Sequence, residues 1–205
     1  MILEHDKIAS SKQIENFASL CKMVMRPLDL DNGTNIIGFN GCGDTSILSL
    51  VSRFLIIAWD VQNDISKISV DSFSRVCESL ICFSTYLKSQ DDTLACMQVI
   101  SKPLIKWFSG SVYSEASFDI SHQMILLEKI WHQILTTLQN CHPPISFDSC
   151  LLNQQASLLA SAFQCPYKAI AEQTLLFWER TYGIKTSRLS YRSCLVQFFV
   201  SYNTR

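Results

Sequence analysis

Along most of this chain the apolar residues return every three or four positions, the spacing of one helical face, and no segment shows the alternation of a half-buried strand. The first stripe, Ile14, Phe17, Leu20, Cys21 and Val24, predicts a helix over residues 8–26 that Pro27 ends. Residues 28–43 are rich in turn formers and predict a loop. Asp44 is placed to cap the next helix, SILSLVSRFLIIAWDV, which is apolar on nearly all sides and is expected at the centre of the core. Asp71 is expected to cap a third, with Phe73, Val76, Leu80, Phe83 and Leu87 on one side. Gln90, Asp91 and Asp92 read as the turn into its antiparallel partner, TLACMQVISKPLIKWF, where Pro103 predicts a kink. Together the two would form an αα-hairpin.

A polar loop over residues 109–118 precedes a long helix from Ile120 to Gln139, stopped by His142-Pro143-Pro144. Asp148 is the candidate cap of SFDSCLLNQQASLLASAFQ. The stretch from Pro166 to Gly183 reads as the second helix of a hairpin, with Leu175, Leu176 and Trp178 as packing residues, and Ser190 opens a final helix through Val200. About eight helices, with comparable hairpins roughly 40 to 50 residues apart, define an all-α class and predict an irregular HEAT/armadillo-like α-solenoid. Residues 1–205 are read as a single helical-repeat domain, a segment of a longer array. Trp59, Trp107 and Trp178 fall near the ends of second helices while Trp131 does not, so the repeats are irregular, and an ordinary helical bundle is the structural alternative.

Composition sharpens this in three ways. Charged residues make up 17% of the chain, below the usual level of about 25%, which suggests surface covered by further chain or by a partner. The net charge of −1 hides an asymmetry: residues 1–164 carry 11 Lys+Arg against 16 Asp+Glu, while residues 165–205 carry 6 against 2. The nine cysteines are scattered through apolar helical patterns (Cys21, Cys77, Cys82, Cys96, Cys194) with no leader pattern before them, as expected of free, buried thiols in a reducing compartment. Asn32-Gly33-Thr34 is then a turn rather than a glycosylation site. The most apolar run, Ile47 to Trp59, is interrupted by Arg53 and too short to span a bilayer, so no membrane segment is expected.

Candidate chemistry is sparse. Gly38, Gly43 and Thr45 have phosphate-loop spacing, but Asp44 replaces the essential lysine and would repel phosphates. His122, His132 and His142 recur every ten residues, which on a helix turns each about 80° from the last and prevents convergence on one metal ion. No paired CxxC, HExxH or GxSxG occurs, and no cofactor or catalytic set is expected. The basic end offers more: Arg180, Lys185, Arg188 and Arg192, with Tyr182 and Tyr191 among them, suit contact with phosphates, exposed bases or an acidic partner. A solvated basic face with snorkelling arginines is the plainer reading.

The run AIAEQTLLFWERTYG, preceded by LLNQQASLLASAFQCPYK, resembles the later part of the N-terminal helical-repeat region of the Rif1 family, telomere-associated and replication-timing proteins. Gln173, Thr174, Phe177, Trp178, Thr181, Tyr182 and Gly183 stand at the matching places; Glu179 departs from the family's amide and Tyr182 from its phenylalanine. The resemblance is specific over those fifteen or so residues and permissive over a longer stretch before them. It implies an α-solenoid scaffold in the nucleus, at chromatin and DNA ends, working through DNA and protein partners in replication timing, telomere maintenance or double-strand break repair. Family members also recruit a phosphatase through short motifs outside the repeats; Val196-Gln197-Phe198 lacks the adjacent basic residue such a motif requires, so that recruitment is not expected here. The expectation is therefore a non-catalytic scaffold, nuclear if the resemblance holds. The alternatives are a protein-binding adaptor of another family, cytoplasmic and without a nucleic-acid role, and a nucleotide-dependent enzyme using the glycine-rich loop.

Overall fold

The computed structural model describes residues 44–60, 70–110, 118–184, 189–190 and 195. The expected helix over 8–26 and the loop over 28–43 lie outside the described residues, as does most of the final helix, of which Leu195 is helical and buried. The described residues are all-α: six helices, α1 (Asp44–Asp60), α2 (Val70–Tyr86), α3 (Gln90–Ser109), α4 (Phe118–Asn140), α5 (Ser149–Phe163) and α6 (Lys168–Arg180), with no strand among them.

Helix ends follow local chemistry, with some shifts from the sequence pattern. Asp148 caps α5 as expected, its carboxylate accepting from Leu151 N at 3.0 Å. At α3 the cap is Ser89, whose hydroxyl accepts from Asp92 N at 3.1 Å. Asp91 and Asp92, expected in the turn, instead occupy the first helical turn, where carboxylates favour the positive end of the helix dipole. Asp71 lies likewise inside α2, paired with Arg75 one turn on, and is not its cap. Ser109 and Phe118, assigned to a loop, belong to helices. The helix α3 continues through buried Pro103.

The packing is a double row. Helices α1, α3 and α5 lie side by side in succession, α2, α4 and α6 do the same, and the rows meet where α1 packs on α2, α3 on α4 and α5 on α6. The α5–α6 hairpin is as expected. In the expected α2–α3 hairpin the first turn of α2 meets the last turn of α3 through large rings, Phe73 against Trp107 with centroids 5.3 Å apart, while the closer backbone neighbour of α2 is α4. The central helices are α3 and α4, each flanked on both sides. Apolar α1 is buried from two directions, by α2 and α3, with Val51, Phe54, Leu55 and Ala58 in the core, while its Ile57 is 41% exposed.

Hydrogen bonds tie each helix to the one two places along. In the first row Trp107 Nε1 donates to Leu55 O at 2.9 Å, Lys106 pairs with Asp60, and Ser109 Oγ donates to Ser161 Oγ at 3.0 Å. In the second, Thr137 Oγ1 donates to Ser84 O at 3.2 Å and Trp131 Nε1 to Thr174 Oγ1 at 2.9 Å. Gly110 lets the Trp59 indole pack close to the backbone: with that ring in place a Cβ there would stand 1.8 Å from it, and the ring is itself edge-on against Trp107 at 5.1 Å.

Candidate functional site

The residues that carry the family resemblance are packing residues. Thr174 donates to Ile170 O at 2.7 Å and accepts the buried Trp131 indole N–H, which joins α6 to α4. Gln173 Nε2 donates to Glu128 Oε1 at 3.1 Å, leaving its own Oε1 buried with no hydrogen-bond partner among the described residues. Phe177 and Tyr182 meet the ring of Phe147 edge-on at 5.6 and 5.3 Å. Trp178 lies between Phe163 and Tyr182, at 6.0 and 5.2 Å. Buried Thr181 donates to Phe177 O at 2.7 Å. Gly183 N reaches back to Trp178 O at 2.7 Å, and a side chain at that glycine would stand 3.1 Å from the Glu179 Cα. Leu175 is half-buried, but Leu176, expected to pack, is 51% exposed. Adjacent residues on a helix point about 100° apart, so on a helix covered from one side only, one of the pair is carried away from the core.

The basic site is only partly visible. Arg180 is exposed in the last turn of α6, where a cation complements the negative end of the helix dipole. Lys185, Arg188, Tyr191 and Arg192 lie outside the described residues, as do Gly38 and Gly43 of the glycine-rich loop. Tyr182, which follows Arg180 in sequence, is 1% exposed, and burial, with the nearby Asp148 carboxylate, pushes its phenol pKa up. It serves the core and not the basic surface.

Sequence reasoning missed a groove of about 590 Å³ between α3 and α5. Leu94, Met97 and Ile105 of α3 and Leu151 and Leu158 of α5 supply its apolar walls, and Gln98, Gln154 and Gln155 its principal polar groups. Asp91 is the one ionisable lining residue among the described residues. The signal was available in the sequence: α5, SCLLNQQASLLASAF, carries no charge on any face. Gln155 is buried, and its Oε1 accepts from Tyr182 Oη at 3.4 Å, so the aromatic cluster behind α5 holds the amide in place.

The thiols divide by burial. Cys77, Cys96, Cys141 and Cys165 are buried, while Cys150 and Cys82, the latter expected to be buried, are exposed. Burial pushes the Cys96 thiol up to about 12 and raises Cys77 further, with Glu78 adding to the effect. Such groups stay protonated and are poor nucleophiles. His122 shares a 3.2 Å hydrogen bond with Ser74, and His132 and His142 are exposed elsewhere. Among the described residues no group of three or more His, Cys, Asp or Glu is arranged to hold a metal ion, and no helix is long and apolar enough to cross a membrane. No family model, curated protein or solved structure matches the chain.

Proposed function

We propose that the chain is a non-catalytic α-helical scaffold, an irregular HEAT-like α-solenoid that resembles the Rif1 repeat region and acts at chromosomes through DNA and protein partners. The double-row packing supports the scaffold reading: each helix is stacked on the one two places along, the way helical repeats cover faces that a single hairpin leaves open. The chromosomal role rests on the resemblance over residues 173–183 and on the basic balance of the residues that follow. A mobility-shift titration of the chain with duplex DNA at low salt tests it. The expected result is binding that weakens as salt rises, and that weakens further in Arg188→Glu/Arg192→Glu, since each lost phosphate contact removes about 0.9 from the slope of log K against log salt. No affinity at low salt, or affinity unchanged by the charge reversal, ends the DNA role.

The groove favours a second reading, a protein-binding adaptor with no nucleic-acid role. Among the described residues its lining has no lysine or arginine, and the one charge there is negative. Interaction with a peptide partner that does not respond to salt supports this reading over the first.

A further inference from the structure

We draw no further inference here: the strongest candidate, the side-chain cluster of Glu128 and Gln173 between α4 and α6, where Gln173 Oε1 is buried with no hydrogen-bond partner among the described residues, carries nothing because Gln173 as a whole is only half-buried and nothing in the structure shows what ligand would reach that oxygen.

Discussion

At the scale of single residues, burial decides chemistry that composition leaves open. Nine cysteines look alike in the sequence, but iodoacetamide at neutral pH followed by peptide mapping should label Cys82 and Cys150 quickly and Cys77 and Cys96 slowly. The same burial fixes the response to alkali. The folded state holds Cys96 neutral up to about 12, whereas the unfolded chain releases that proton near 9.0, so the native state binds more protons between those values. Stability is therefore intact below pH 9 and falls as pH rises toward 12, by about 1.4 kcal/mol per pH unit for each such group. Urea unfolding from pH 7 to pH 10.5 measures it: Cys96→Ala should be less stable than the native chain at pH 7 yet lose less above pH 9. A flat profile would contradict the burial of both thiols. Caps show how far sequence reaches at this scale. Asp148 was legible because a cap acts on its own neighbours, while Asp71, Asp91 and Asp92 misled because an acid just inside a helix satisfies the same dipole as an acid just before it.

At the scale of elements, periodicity placed every described helix to within a few residues but could not assign partners. The stripe Phe73, Val76 and Leu80 on α2 says that a face is buried, and only the fold shows that α4 is the principal neighbour and not the next helix in sequence. Leu175 and Leu176 illustrate the same limit, since no spacing rule tells which of two adjacent leucines faces inward. The groove escaped notice because its signal was an absence of charge, which in a single helix also reads as burial. The tie between α4 and α6 through Trp131 and Thr174 is the contact to test. Trp131→Phe removes the indole N–H that Thr174 Oγ1 accepts, leaving that hydroxyl with only its bond to Ile170 O, and trims a fully buried ring; it should cost about 1–3 kcal/mol in chemical denaturation. Leu176→Ala, by contrast, should stay within about 0.5 kcal/mol of the native chain, as exposed positions do. A double-mutant cycle with Thr174→Val separates the hydrogen bond from packing: coupling of at least about 0.5 kcal/mol is expected, and additivity would mean that the bond contributes nothing.

At the scale of the molecule, the double row makes a claim that a plain helical bundle does not. If each helix depends chiefly on its nearest neighbours, stability is distributed along the rows and not shared equally. The helices α3 and α4 are flanked on both sides and pack on each other, whereas among the described helices α1 has a row neighbour only in α3 and α6 only in α4. Local opening should follow that order. Hydrogen exchange read by mass spectrometry should find the amides of Met97 to Phe108 and of Leu126 to Leu138 slowest, with those of α6 opening earlier and independently of α1. Trp131→Phe should then speed exchange in α4 and α6 while leaving α1 nearly unchanged, because the lost bond lies in the other row. Exchange that rises uniformly through all six helices would instead identify one cooperative bundle, and the repeat architecture behind the scaffold proposal would fall with it.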